Sequence, residues 1–98
     1  MPDTIKLSTT QNSAVTMENS YGVVRRQNDV EMEYNITIKS PSYGYFEFYD
    51  TETNGENWYA EGGLWFDNKK LTDYDGVFAL PAAIQSLLIE KGYDLSDI

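Results

Sequence analysis

The sequence predicts an α+β fold: a single small domain, residues 1–98, in which an antiparallel meander of about four to five strands packs against one C-terminal helix. Three observations lead to this prediction. Polar and apolar residues alternate through 29–39, turn-forming residues separate the later apolar segments, and only the part of the chain after Pro81 has a helical period. Because no linker or repeat divides so short a chain, we expect one modest core.

The N-terminal elements are predicted from weaker patterns. The polar residues up to Ser13 favour a short edge strand followed by a loop. Segments 14–17 and 23–26 are short and β-prone, and the turn-forming residues 18–22 between them predict a hairpin connection.

The clearest predicted strand is 29–39, which places apolar residues on one face and polar residues on the other. The turn 40–44 contains proline and glycine and returns the chain into a strand at 45–49. There Phe46 and Phe48 should face the core. The residues of the opposite parity then lie on the other side, beside the acidic face of the preceding strand; they are Tyr43, Tyr45, Glu47 and Tyr49.

The second half of the chain begins with the hairpin signal Asn54-Gly55, which leads into a predicted strand at 58–66. Gly62-Gly63 within that strand predicts a bulge or a close approach of another backbone segment. A turn at 67–70 and an irregular stretch at 71–76 should follow.

The C-terminal helix is predicted to begin near Pro81, since proline is tolerated in a first helical turn. Its apolar stripe contains Ile84, Leu87 and Leu88, and Gly92 should end it. We expect Tyr93 to fold back on the last turn.

The negative charge lies mainly in the middle of the chain. The net charge is −9, and residues 29–75 carry eleven acids against Lys39, Lys69 and Lys70. Many of the aromatic residues fall in the same stretch. Such a field repels nucleic acid and anionic membranes and attracts basic surfaces, so we expect no direct nucleic-acid binding and no membrane partner. A solvated sheet face would give the same composition, and this interpretation stays open.

Composition argues against most catalytic chemistry, and we expect a non-enzyme without cofactors. The chain has neither cysteine nor histidine, so it lacks a thiolate nucleophile, the commonest general base and the commonest transition-metal ligand. A glycosidase pair formed by Glu56 and Glu61 would need a cleft that a chain of this size has trouble building. Asp73-Tyr74-Asp75-Gly76 resembles part of a calcium loop but lacks the first carboxylate and the bidentate glutamate, so we expect no metal site.

The N-terminal sequence shows neither a signal-peptide pattern nor an apolar span, which predicts a cytoplasmic protein. Asp29, Glu31 and Glu33 alternate along one predicted strand at about 6.8 Å, a spacing comparable to two base-pair rises of B-DNA. This ladder predicts a binding face for a basic protein surface, such as that of a nucleic-acid-binding protein. The residues assigned to that face are Asp29, Glu31, Glu33, Tyr45, Glu47, Tyr49, Asp50, Glu52, Glu56 and Glu61.

With its ladder of acids at 29–33 and the acidic, aromatic segment 45–50, the chain resembles the small, acidic, cysteine-free inhibitors encoded by bacteriophages, which include anti-CRISPR proteins and DNA mimics. The resemblance implies stoichiometric blocking of a nucleic-acid-binding or partner-binding surface in the bacterial host cytoplasm. Two alternatives remain: an immunity protein or antitoxin against a basic nuclease, and a structural module forming a homodimer or larger homo-oligomer through its exposed aromatic residues.

Overall fold

The computed structural model describes residues 4–19, 22–75 and 80–98. These residues form five strands and one helix: β1 (Ile5–Asn19), β2 (Gly22–Ser40), β3 (Tyr43–Asp50), β4 (Tyr59–Asp67), β5 (Lys70–Tyr74) and α1 (Ala82–Glu90). Each strand pairs antiparallel with the next, in the order β1-β2-β3-β4-β5. The predicted α+β meander with one C-terminal helix is confirmed.

The first hairpin is longer than the sequence pattern indicated. β1 continues without a break through the residues before Ser13, so the loop predicted there is wrong. Its polar side chains are compatible with a strand because β2 satisfies one side of the backbone and alternate residues face water. The predicted connection at 18–22 is paired at both ends, Glu18 with Val23 and Asn19 with Gly22, and its residues 20–21 lie outside the described residues.

A β-bulge divides this hairpin into two parts. Ser13 pairs with Val30 and Val15 pairs with Gln27, so β2 has one extra residue there, and Asp29 adopts a left-handed backbone with φ of 54°. The predicted alternation of 29–39 therefore begins at Val30 rather than at Asp29. From Val30 to Ile38 it is confirmed, because every even-numbered residue is buried.

Beyond the bulge, the hairpin folds over the connection between β3 and β4. The Arg25 guanidinium lies over the Trp58 ring, 4.1 Å from its centroid, and donates to the Asn57 carbonyl at 2.5 Å. The Trp58 Nε1 donates to the Gln27 side chain at 2.9 Å. Trp58 is consequently buried.

The β3–β4 connection is organised by Asp50. Asn54 and Gly55 both have positive φ, 56° and 92°, as the Asn-Gly signal predicts, but they form one turn within a longer loop. The Asp50 carboxylate accepts hydrogen bonds from the backbone N–H groups of Thr53 and Trp58, at 2.8 and 2.9 Å, and from the Thr53 hydroxyl. One buried carboxylate therefore closes the loop from both ends.

The strand predicted at 58–66 is β4, and its diglycine permits close packing. A Cβ atom on Gly62 would lie 1.5 Å from the Asp75 carbonyl oxygen, which confirms the predicted close approach. The irregular stretch predicted at 71–76 is wrong for most of its length, because Lys70–Tyr74 forms β5. Leu71 is fully buried and anchors this strand, which is too short and too mixed in composition to show a period.

α1 covers the opposite side of the sheet from the acidic residues. Ala83, Ile84 and Leu88 are its buried residues. Pro81 precedes the first helical residue rather than occupying the first turn. At the other end the N–H groups of Gly92 and Tyr93 donate to the carbonyls of Ile89 and Leu88, both at 3.0 Å, so the predicted C-terminal cap is confirmed as a Schellman motif.

The core lies between α1 and one face of the sheet, which we call the inner face. Its fully buried side chains come from three central strands, from β5 and from the helix, and include Met32, Ile36, Phe46, Leu64, Leu71, Ile84 and Leu88. The helix therefore uses the inner face, and the other face of the sheet, here called the outer face, carries the candidate site.

Candidate functional site on the outer face of the sheet

Strand register brings the predicted acidic residues of β2, β3 and β4 together on the outer face. In one row Glu33 pairs with Tyr49, which pairs with Tyr59. In the next row Asn35 pairs with Glu47, which pairs with Glu61. We call Glu33, Glu47 and Glu61 the carboxylate cluster. It runs across three strands, whose neighbours are about 4.8 Å apart, and not along one strand as the sequence suggested.

Glu33 is held by two neighbours on the outer face. Tyr49 donates its hydroxyl to the Glu33 carboxylate at 2.5 Å, and the Asn35 side chain donates to the same oxygen at 2.9 Å. The hydrogen bond from Tyr49 is the main cause that lowers the pKa of Glu33, and the bond to Glu33 in turn raises the pKa of Tyr49. Glu33 is thus fixed in its charged form, and the Tyr49 hydroxyl is already engaged.

Glu47 and Glu61 form a pair of like charges directly opposite each other. The Tyr59 hydroxyl donates to the Glu61 carboxylate at 2.7 Å and lies 3.3 Å from a Glu47 oxygen. The hydrogen bond to Glu61, together with the nearby charges, raises the pKa of Tyr59 to about 12. The Tyr59 hydroxyl has a single proton, so it donates to one of these two carboxylates and leaves the other without this donor.

Aromatic side chains border the carboxylate cluster on the outer face. Tyr43 and Trp65 pack at a ring-centroid distance of 5.8 Å, and the Trp65 ring lies over Gly63, which pairs with Tyr45. Tyr45 and Trp65 are 37% and 38% exposed, and Tyr59 is 49% exposed. Flat, exposed rings next to carboxylates offer both stacking and ion pairing to a cationic side chain.

Cationic residues lie at one end of this face. Lys39 sits 5.7 Å from the centroid of the Tyr45 ring. Lys6 lines a shallow groove together with Tyr45 and Glu47. Within the described residues the one ion pair joins Lys70 to Asp97 at 3.6 Å, at the β5 side of the sheet. The carboxylate cluster therefore has hydrogen-bond donors but no salt-bridge partner in the described part of the chain.

The structure separates two predicted site residues from this face. Asp50 is 2% exposed, and its carboxylate is used in closing the β3–β4 loop, so its assignment to a partner-binding face is corrected. Hydrogen bonding from Thr53 and from backbone N–H groups lowers the pKa of Asp50 to about 2. Asp29 is exposed but lies at the β-bulge with a left-handed backbone, so the regular ladder reduces to Glu31 and Glu33.

The remaining predicted residues lie outside the carboxylate cluster. Glu31 is exposed, and its carboxylate accepts a hydrogen bond from the Thr51 hydroxyl. Glu52 and Glu56 are exposed on the loop between β3 and β4 and do not belong to the strand rows. Tyr45 lies beside the cluster with its ring accessible.

The partner-binding residues assigned from the sequence did not include Tyr59 and Trp65, which the structure places on the outer face. Both alternate with buried neighbours, since Trp58, Leu64 and Phe66 are buried while Tyr59 and Trp65 are exposed. The sequence shows this alternation of buried and exposed residues once Leu64 and Phe66 are assigned to the core.

The described residues contain no group of three or more acidic side chains placed to hold a metal ion. Among the same residues, no helix has the length and apolarity needed to cross a membrane. The outer face combines carboxylates with exposed aromatic rings, two kinds of group that interact with positively charged side chains.

Comparison with known proteins identifies no relative: no family model, no curated protein and no solved structure matches this chain.

Proposed function

We propose that this chain is a non-catalytic binding protein whose outer face covers a basic protein surface, one that would otherwise contact nucleic acid. The observation that carries the proposal is that Glu33, Glu47 and Glu61 converge on one open face without a salt-bridge partner among the described residues. A basic partner supplies the missing positive charge, and complementary fields also speed the encounter of the two proteins.

The arrangement of the cluster favours arginine in the partner. Glu47 and Glu61 face each other across two neighbouring strands, so one planar guanidinium can donate to both carboxylates. The exposed ring of Tyr59 beside them offers a surface on which the same guanidinium can stack. The chain contains this type of contact internally, in the stacking of Arg25 on Trp58.

In the proposed mode, the acidic patch binds a positively charged surface without reproducing the phosphate spacing of DNA. Only Glu31 and Glu33 keep the spacing along a strand that resembles DNA, because Asp29 lies at the bulge. The other acids are arranged across the sheet. This geometry supports a compact negative patch that fills a positive groove, as in the phage-encoded inhibitors of bacterial defence complexes that the sequence resembles.

The same patch would suit an immunity protein or antitoxin against a basic nuclease, and the difference between the two lies in the partner. In either case the action is stoichiometric, without turnover, in the cytoplasm of a bacterial cell. The chain contributes no histidine or cysteine for catalysis.

The test compares three forms of the protein in affinity capture from a bacterial lysate. The cluster variant carries Glu33→Gln, Glu47→Gln and Glu61→Gln. The control variant carries the same change of charge at exposed sites outside the strand rows, Glu52→Gln, Glu56→Gln and Glu90→Gln. We expect the wild type and the control to retain basic nucleic-acid-binding proteins that the cluster variant loses.

Competition then tests the blocked surface directly. Duplex DNA or RNA added to the captured complex should displace this protein, and the affinity should fall steeply with salt. The proposal fails if the folded cluster variant captures the same proteins as the wild type, or if nucleic acid binds the complex without displacing it.

A further inference from the structure

The register of the sheet reveals which backbone groups of β1 point away from the protein. The Thr51 N–H donates to the Glu31 carbonyl at 3.0 Å, so the backbone of Glu31 faces β3. Because backbone direction alternates along a strand, the backbone of Met32 faces β1, where it pairs with Gln11. The backbone N–H and C=O of Gln11 therefore bond to β2, and the backbone groups of its two neighbours point away from the sheet. The outward residues of this segment are Lys6, Ser8, Thr10 and Asn12.

The opposite edge of the sheet is covered. Asp94, from the segment after α1, forms a parallel bridge with Lys70 on β5. The Leu71 N–H donates to the Asp94 carbonyl, and the Asp94 N–H donates to the Lys69 carbonyl, both at 2.8 Å. β1, in contrast, pairs with β2 alone among the described strands. It thus presents a row of backbone donors and acceptors able to accept another strand.

The edge of β1 has few of the features that prevent strand pairing. Between Ile5 and Ser13 the register is regular, and the segment contains neither proline nor a bulge. Lys6 is its one charged residue, in a chain with a net charge of −9. Two copies of such an acidic protein repel each other, and the segment 5–13 of β1 contains none of the acidic residues that cause this repulsion.

We propose that β1 pairs antiparallel with β1 of a second copy, around a two-fold axis at Thr9, so that the two five-stranded sheets join into one. In this register Lys6 lies opposite Asn12 of the second copy, and Ser8 lies opposite Thr10. All four residues whose backbone groups point outward then form hydrogen bonds with the second copy. Asn12 pairs with Glu31 on its other side, so each Lys6 approaches an acidic residue of the other chain.

This dimer leaves the carboxylate cluster open on both copies, because the cluster lies on β2, β3 and β4. It is a different surface from the aromatic face through which the sequence suggested a homo-oligomer. The inference is independent of the proposed function and is tested without any partner.

The main experiment is sedimentation of the wild type and two variants over a wide range of protein concentration. Thr10→Pro removes an N–H that points outward, so the pairing with β2 keeps its hydrogen bonds while an added strand loses one. Thr10→Val is the matched control, because it keeps the N–H and the branched shape of the side chain. We expect dimers for the wild type and Thr10→Val, and at least a tenfold weaker dimer for Thr10→Pro.

Amide hydrogen exchange of the wild type gives a second measurement that does not depend on a variant. The amides of Ser8, Thr10 and Asn12 should be protected in the dimer as strongly as those of Thr9 and Gln11, and should lose protection on dilution. A monomeric wild type at all concentrations overturns the proposal. So does a Thr10→Pro dimer of unchanged affinity, loss of the dimer in Thr10→Val, or rapid exchange of the outward amides in a sample that is dimeric.

Discussion

Glu47 on β3 and Glu61 on β4 lie directly opposite each other on an open face, with the Tyr59 hydroxyl 2.7 Å from one carboxylate and 3.3 Å from the other. Like charges in directly opposed strand positions destabilise a sheet. The fold tolerates the pair because water and the tyrosine screen part of the repulsion. Such a pair weakens the isolated protein and becomes favourable when a cation binds between the two carboxylates.

The first prediction is that Glu61→Gln stabilises the free protein. The substitution removes one of two opposed charges while retaining an oxygen that accepts from Tyr59, so the melting temperature should rise by about 2–4 °C at low ionic strength. The gain should shrink as salt is added, because screening already weakens the repulsion in the wild type. Thermal unfolding at two salt concentrations checks this, with Glu90→Gln as a control for the change in net charge. An equal effect of both variants would contradict the prediction.

The second prediction concerns the ionisation of Tyr59. Its pKa is raised to about 12 in the folded protein, above the ordinary value of 10.0. Its hydrogen bond therefore contributes stability that is complete below about pH 10 and is lost as the pH rises through 12. Compared with Tyr59→Phe, the wild type should lose stability more steeply between these values.

Ultraviolet titration of the phenolate signal, as the difference between wild type and Tyr59→Phe, measures this pKa directly. In the Glu61→Gln background the transition should move towards 10, because the charged acceptor is gone. A transition that stays near 12 after the substitution would show that Glu61 is not its cause.

The third prediction is that Asp50 stabilises the fold instead of binding a partner. Asp50→Asn replaces a charged acceptor with an amide whose NH2 group faces backbone donors, so the melting temperature at pH 7 should fall by at least about 10 °C. Glu52→Gln, on the same loop but exposed, should have little effect.

The pH dependence of this effect has a defined direction. The pKa of Asp50 is lowered from 3.8 to about 2 in the folded protein. The contribution of Asp50 to the free energy of unfolding is therefore complete above about pH 5 and is lost as the pH falls through 2. The difference between wild type and Asp50→Asn should close over that range in acid unfolding curves, and a constant difference would contradict the assigned pKa.

The sequence predicted the residues of the outer face wherever polar and apolar residues alternate clearly along a strand. Strict alternation placed Glu33, Glu47 and Tyr49 correctly on one side, because a side chain between two neighbours that face the core must point outward. The same rule failed at Asp29, where a bulge changes the direction of the strand, and local pattern contains no signal for this event because it depends on pairing with Ser13 and Val15 far away in sequence. Asp50 is a different case. It has the parity of Phe46 and Phe48, so alternation places it on the inner side, and its assignment to the outer face rested on its charge alone.

Long-range pairing also explains the elements that were missed. The polar residues of β1 form a strand only because the alternating residues of β2 supply a template for them. β5 forms because Leu71 reaches the core and because the chain after α1 returns to cover its edge. Neither segment has a periodicity of its own, so tertiary contacts decide its structure.

The fourth prediction distinguishes the two adjacent glycines of β4. A Cβ on Gly62 would lie 1.5 Å from the Asp75 carbonyl oxygen, and this backbone together with the buried Phe46 ring leaves it no room. A Cβ on Gly63 would meet the Trp65 ring at 2.7 Å, but this ring lies on the open face and can rotate away. Gly62→Ala should therefore lower the melting temperature by more than about 10 °C or prevent folding, whereas Gly63→Ala should cost only a few degrees. Circular dichroism and thermal unfolding of the two variants measure the contrast, and the tryptophan fluorescence of folded Gly63→Ala should differ from that of the wild type. Equal decreases in melting temperature would contradict the close approach of Asp75 to β4.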